Sequence, residues 1–436
     1  MAHTNLDLAN ALADAKSQYT AANPRSHELH RKACGPLPGG NTRTTLHYDP
    51  FPVVIEQGEG SVVTDVDGHD YADFIGEYTA GLYGHSHPVI KAAIEKVLKR
   101  GLSLCSPTAA EAQLAAILCQ RFPSVEQIRF TNSGTEANLM IAGAARHFTG
   151  RDALMVFNGG YHGGVFYFAT GASPINAPYP FVLGEFNDPD TTLRRLEENA
   201  NRLAALFIEP VMGTSGALPV NLDFLKALRT RTEELGILLV FDEVMTSRLS
   251  PGGAQQLFGI TPDMSSFGKY IGGGLTFGAF GGRADVMAQF DPRRSDSLPH
   301  AGTFNNNVLT MAAGLAGMRD IYTPAVAIAH NARGDAYRER LNSIIEALDV
   351  PAQVTGAGSM LGFHFTREVI NTPHDARRTP ADARALFHLA MLNRGFYLGR
   401  AGLASLSLPL EQRHYDDFAE AFREFLTVYA NVLRGM

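Results

Sequence analysis

VFDEVMTSRLSPGGAQQLFGITPDMSSFGKYIGGG, residues 240–274, begins inside an apolar run and closes in glycine. The run Gly236-Ile237-Leu238-Leu239-Val240-Phe241 predicts a buried parallel strand, and it ends in two acids, Asp242 and Glu243. Lys269 follows between Ser265-Ser266-Phe267-Gly268 and a set of glycines, where little side-chain bulk would obstruct a large planar ligand. A lysine amine condenses with an aldehyde, and a carboxylate beside a pyridine nitrogen keeps that nitrogen protonated. Pyridoxal phosphate needs both. Taken singly, a salt-bridged acid and a solvated loop lysine would account for either residue.

At 436 residues the chain is long enough for more than one domain and a large core. It is 45% hydrophobic and 19% charged with a formal net charge of −7, which is ordinary for a soluble protein and leaves no basic footprint for nucleic acid. Cys34, Cys105 and Cys119 show no CxxC spacing and read as reduced thiols of the cytoplasm. The first 26 residues lack a basic and then apolar leader, and no stretch reaches the length of a membrane span, so a cytoplasmic protein is expected.

Residues 7–33 read as an amphipathic lead-in broken at Asn23-Pro24, followed by the Pro/Gly-rich loop that carries Arg43. A guanidinium can grip a carboxylate through two hydrogen bonds, although a solvated loop arginine explains Arg43 equally well. Residues 53–74 predict a small antiparallel meander. His85 and His87 could be a metal pair, but they have no supporting ligand pattern and read as loop residues. Helices are expected after Pro88 and over 109–122. Strand 127–130 then leads through Thr131-Asn132-Ser133-Gly134-Thr135-Glu136 into a helix reaching about His147. That helix start offers backbone N–H groups, hydroxyls and a positive dipole end to a phosphate, and it also fits a capping box. Strand 154–157 ends in glycines around Tyr161 and His162, where an aromatic could stack on a flat ring. Strand 205–208 ends in Glu209, so several strand ends send polar residues to one edge, where ligands of open parallel sheets bind. The glycines 272–274 and 278 lack the strand and helix context of a dinucleotide loop. Beyond them are expected a helix over 308–321, a long polar helix from Pro324, a strand near 358–365, helices near 380–394 and 413–433, and a short strand pair within 395–408.

Together SGTEAN (133–138), GGYHG (159–163), EP (209–210), FDEV (241–244), GK (268–269) and GTF (302–304) resemble the class III aminotransferases, pyridoxal-phosphate enzymes of fold type I. PGGNTR (38–43) points towards the branch similar to glutamate-1-semialdehyde aminomutase. HFTG, FDEVMTSRL and GKYIGGG point towards the aromatic β-amino acid (β-phenylalanine) aminotransferases. The resemblance spans about residues 24–410. It implies an α/β fold with a large, mostly parallel seven-stranded sheet domain (76–325). A smaller α+β domain would form from an N-terminal segment (1–75) and a C-terminal part (326–436).

The resemblance also implies roles. Lys269 would hold the cofactor as a Schiff base and shuttle the proton, and Asp242 would pair with the ring nitrogen. Ser133, Gly134 and Thr135 would hold the phosphate; Tyr161 would stack on one ring face and Val244 pack on the other, with His162 and Met245 beside them. Glu209 would join the polar network at the ring hydroxyl. Thr303 would reach the phosphate of a neighbouring subunit, implying a homodimer with shared active sites. Arg43 would bind the substrate carboxylate, and Tyr78 would line the substrate site. Arg400 would hold the second carboxylate of an acceptor, although Gly399-Arg400-Ala401-Gly402 sets it one position early, and such a shift turns a strand side chain to the other face. The expected reaction moves the amino group of an aromatic β-amino acid to 2-oxoglutarate or pyruvate. An intramolecular aminomutase and a broad ω-amine transaminase are the alternatives on the same scaffold. A histidine and Asp242 metal site in a hydrolase, or a non-catalytic cofactor-binding regulator, are the readings from other classes.

Overall fold

A computed structural model describes residues 7–436; the first six, where the expected N-terminal segment begins, lie outside the described residues. Its centre is a seven-stranded sheet: β1 Gln127–Thr131, β2 Ala153–Phe157, β3 Phe181–Gly184, β4 Leu203–Ile208, β5 Leu238–Asp242, β6 Met264–Gly268 and β7 Gly278–Gly282. Their spatial order is β1-β7-β6-β5-β4-β2-β3. β5 runs parallel to β4 (Val240 beside Phe207) and to β6 (Asp242 beside Ser266), while β7 is antiparallel to β6 and β1.

The apolar run works because both faces of this sheet are covered. Side chains alternate across a strand, so Leu238 and Val240 join Leu154, Phe207 and the helix Gly134–Thr149 on one side. Leu239 and Phe241 join Met155, Ile208 and the helix Leu222–Glu234 on the other. Each fully buried Leu or Phe contributes about 1.5–3 kcal/mol from burial. The core thereby fixes the register that delivers Asp242 to the carboxyl edge.

The smaller part draws on both ends of the chain, with Phe74, Phe363, Phe387, Phe418 and Phe422 sharing one core. The meander forms as expected from Ile55–Glu59, Val62–Asp65 and Asp70–Asp73. The lead-in splits into helices Leu8–Ala22 and Pro24–Ala33 at Asn23, whose side chain donates to the Tyr19 carbonyl at 2.8 Å. One expectation is corrected: the strands within 395–408 do not pair with each other. Phe396–Tyr397 runs parallel to Asp70–Asp73, whereas Leu403–Ser405 pairs with Met360–His364 in a separate sheet. A glycine turn between them, with Gly402 at φ 85°, redirects the chain from one sheet to the other. The expected 413–433 helix is likewise interrupted at Tyr429.

Candidate active site

The carboxyl ends of β1, β2, β4, β5 and β6 deliver Ser133, Tyr161 with His162, Glu209, Asp242 and Lys269 to one edge. Asp242 is buried, and its Oδ2 accepts from His162 Nδ1 and Asn138 Nδ2, both at 2.9 Å. Val244 N donates to Oδ1 at 3.0 Å. Burial pulls the His162 imidazole down in pKa, but its bond to Asp242 and the charge of that carboxylate outweigh it, and the net shift is upward. Asp242 is therefore an oriented anion. Glu243 serves structure instead: it accepts from Thr246 Oγ1 and from the backbone N–H groups of Ala254 and Gln255, capping the helix Gly253–Phe258.

Lys269 sits directly after β6 in a left-handed conformation, φ 55°, and its Nζ donates to the Tyr78 carbonyl at 2.6 Å. Its side chain keeps some contact with solvent, while burial of the amine end brings the pKa down to about 8 against the pull of Asp242 and Glu209. Glu209 accepts from Tyr161 N at 2.8 Å and Gly213 N at 3.2 Å, and burial raises its carboxyl to about 7.

The helix start at Ser133 is capped by reciprocal hydrogen bonds and leaves hydroxyls beside its N-terminus. Ser133 Oγ accepts from Glu136 N at 3.2 Å, while the Glu136 carboxylate turns back to Asn132 N at 2.8 Å. Close approach demands glycine around it. A Cβ on Gly163, at φ 124°, would stand 2.3 Å from Thr135 Oγ1, and one on Gly278 would stand 2.1 Å from the Ser133 carbonyl. Val244 packs where a Cβ on Gly134 would be, at 2.6 Å, and Met245 covers Gly213. Tyr161 is 40% exposed above the edge, free to stack on a ring. A buried anion, a depressed lysine amine, a helix N-terminus with hydroxyls and a flat-ring platform on one edge fit pyridoxal phosphate.

The substrate candidates divide. Arg43 pairs with Glu77 and lies over the Tyr78 ring, its Cζ 5.6 Å from the centroid. Tyr78, the same residue that receives Lys269, donates its hydroxyl to the Thr45 carbonyl at 3.0 Å. Arg400 is exposed in the Gly399–Gly402 turn and makes no side-chain hydrogen bond or ion pair among the described residues; it borders a cavity of about 510 Å³ with Lys16, Tyr48 and His388. Its charge still reaches Tyr78, whose hydroxyl burial raises against the pull of Arg43 and Arg400. Thr303 is exposed next to Phe304, with Leu102 and Leu104 across a cavity of about 680 Å³. His85 and His87 have other tasks: His85 bonds Asp73 at 2.9 Å and His87 caps the helix Pro88–Leu98.

Three participants escaped sequence reasoning. Asn138 orients Asp242, and a lone amide on an alanine-rich helix face was the available signal. Glu77 has none. Arg248, fully buried, donates to Ser359 Oγ and Ser405 Oγ at 3.0 Å and to the Thr79 carbonyl at 3.4 Å, so it braces the turn that carries Tyr78.

Comparison with known proteins gives the family. The class III aminotransferase family model matches residues 44–426. The β-phenylalanine transaminase of Variovorax paradoxus is 47% identical over 98% of both chains. A crystal structure of a β-phenylalanine aminotransferase from that organism superposes with a TM-score of 0.95 at 46% identity, covering 97% of this chain and 98% of its own. A glutamate-1-semialdehyde 2,1-aminomutase from Desulforapulum autotrophicum is 34% identical over 94% of this chain and 99% of its own. The chain belongs to the class III aminotransferases, pyridoxal-phosphate-dependent enzymes of fold type I.

Proposed function

We propose that the enzyme takes the amino group from an aromatic β-amino acid of the β-phenylalanine kind and passes it to a 2-oxo acid such as 2-oxoglutarate or pyruvate. The observation that carries this is the double use of Tyr78, whose carbonyl receives Lys269 Nζ while its ring lies beneath Arg43. One residue thus joins the amine chemistry to a carboxylate clamp. A β-amino acid holds its carboxylate one carbon further from the reacting C–N bond than an α-amino acid, and a clamp beyond Tyr78 suits that reach. Tyr78 and Glu77 also wall a cavity of about 640 Å³ lined by Leu46, Val54, Ile55, Ile75 and Tyr397, apolar enough for an aryl group.

Pyridoxal phosphate, when bound, supplies an electron sink and a carrier for the amino group. Ser133, Gly134 and Thr135 would hold its phosphate, Tyr161 and Val244 would enclose its ring with His162 and Met245 alongside, and Asp242 would keep its ring nitrogen protonated. Glu209 would face the ring hydroxyl. Lys269 would attach the cofactor through Nζ and, once displaced by substrate, its neutral amine would take the proton from the amine-bearing carbon of the substrate. Arg43 grips the donor carboxylate. Arg400, whose charge also reaches Tyr78 and which is unpaired among the described residues, is proposed for the second carboxylate of the acceptor. The active unit is a homodimer in which Thr303 serves the neighbouring phosphate cup. Among the described residues no helix is long and apolar enough to cross a membrane; the three free cysteines support a cytoplasmic enzyme.

The 34% identity to an aminomutase favours one second reading, amino transfer within a single molecule. Steady-state turnover of β-phenylalanine with and without 2-oxoglutarate separates the two. The transaminase stops after one half-reaction without acceptor; sustained turnover without it supports the aminomutase.

A further inference from the structure

We infer that Glu77 is a built-in carboxylate that occupies Arg43 until the carboxylate of a substrate displaces it, so that Arg43 selects substrates able to make that exchange. The inference rests on the reading of Arg43 as the donor clamp. Its first support is the pairing itself: Arg43 Nη1 meets Glu77 Oε1, with the two side chains 43% and 57% exposed. An exposed ion pair is weak and exchanges readily, whereas a substrate carboxylate brings the same charge and two oxygens to the guanidinium fork.

The second support is how Glu77 is presented. Glu77, Tyr78 and Thr79 are three consecutive non-glycine residues with φ of 48°, 53° and 79°, following Gly76 at 50°. Backbone of this kind persists only where its surroundings hold it. Here Asp73 Oδ1 accepts from Ile75 N and Gly76 N at 2.9 Å, Gly81 N donates to the Gly76 carbonyl at 2.7 Å, and Lys269 holds the Tyr78 carbonyl. A free surface acid needs no such bracing. The third support is Arg43 itself, whose guanidinium rests over the Tyr78 ring and can keep that seat while its anionic partner changes. The pair also acts on the Lys269 amine in opposite senses, Arg43 lowering its pKa and Glu77 raising it, so exchange for a substrate carboxylate preserves the charge around the amine.

The test uses holoenzyme and 3-phenylpropionate, which has the carboxylate and aryl group of the proposed donor but no amine. Calorimetric titration is expected to show up to ~5-fold tighter binding to Glu77→Gln than to wild type, and weaker binding to Arg43→Ala. Retention of the yellow cofactor band in each variant controls for folding. In kinetics, Glu77→Gln should lower KM for β-phenylalanine relative to that for 1-phenylethylamine, an amine with no carboxylate. Unchanged or weaker binding of 3-phenylpropionate by Glu77→Gln, with wild type still converting β-phenylalanine, overturns this inference alone. A wild type that does not react with β-phenylalanine overturns both it and the proposed function.

Discussion

Lys269 combines a left-handed backbone, an amine end withdrawn from water and two nearby carboxyl groups, and the balance among them sets its reactivity. Burial wins, and a pKa of about 8 leaves roughly 10% of the amine neutral at pH 7, against well under 0.1% for an ordinary lysine. Cofactor capture needs the neutral amine. The rate at which apoenzyme acquires its yellow band after addition of pyridoxal phosphate should rise with pH and level off above about pH 8; a rise continuing to pH 10 would contradict this environment. The same depression has a sign for stability. The folded apoenzyme binds fewer protons on this group than the unfolded chain between pH 8 and 10.5, so its contribution improves across that window and is lost as pH falls through 8. Lys269 and Asp242 were legible because strand ends and glycine-rich surroundings are local features. Glu77 was not, because its meaning lies in a contact with a residue 34 positions away.

At the scale of elements, the sheet shows where sequence patterns suffice and where they fail. β2 and β4 are unbroken apolar strands and β5 is apolar up to Asp242, so their runs predict them. β6 and β7, with sequences MSSFG and GAFGG, carry too much serine and glycine for a strand signal, and their pairing is imposed by close packing. The two short strands within 395–408 are neighbours in sequence, which predicts a pair, whereas their hydrogen bonds go to different sheets. The glycine content of β7 has a purpose. With the Gly278 Cβ position 2.1 Å from the Ser133 carbonyl, Gly278→Ala must push the β1 turn outward. Cofactor affinity measured by dialysis should fall at least about tenfold, since a misplaced phosphate cup loses one or more charge-assisted hydrogen bonds worth ~1.5–3 kcal/mol each. Unchanged affinity would show that the cup does not depend on this contact.

For the whole molecule, the exposure of Thr303 is the feature that a single chain leaves unexplained. Phe304 is 62% exposed beside it, with Leu102 and Leu104 about half exposed across the same cavity. Such a patch marks an interaction surface. Phe304→Asp should shift the protein towards monomer in light scattering and weaken cofactor retention together. A monomeric wild type would refute the shared-site arrangement, and a dimeric variant with full cofactor would move the interface elsewhere. The class of the enzyme was readable from motif order across the chain, while the division of labour proposed for Arg43 and Arg400 depends on loop geometry that no spacing rule conveys. The central claim, an amine-transferring site on this edge with a β-amino acid as donor, is tested most directly by the absorbance spectrum of holoenzyme before and after racemic β-phenylalanine, without acceptor. The yellow band should bleach to the pyridoxamine form and return on addition of 2-oxoglutarate or pyruvate; a band that does not respond to the β-amino acid would contradict the assigned donor, and no band after incubation with pyridoxal phosphate would contradict the site itself.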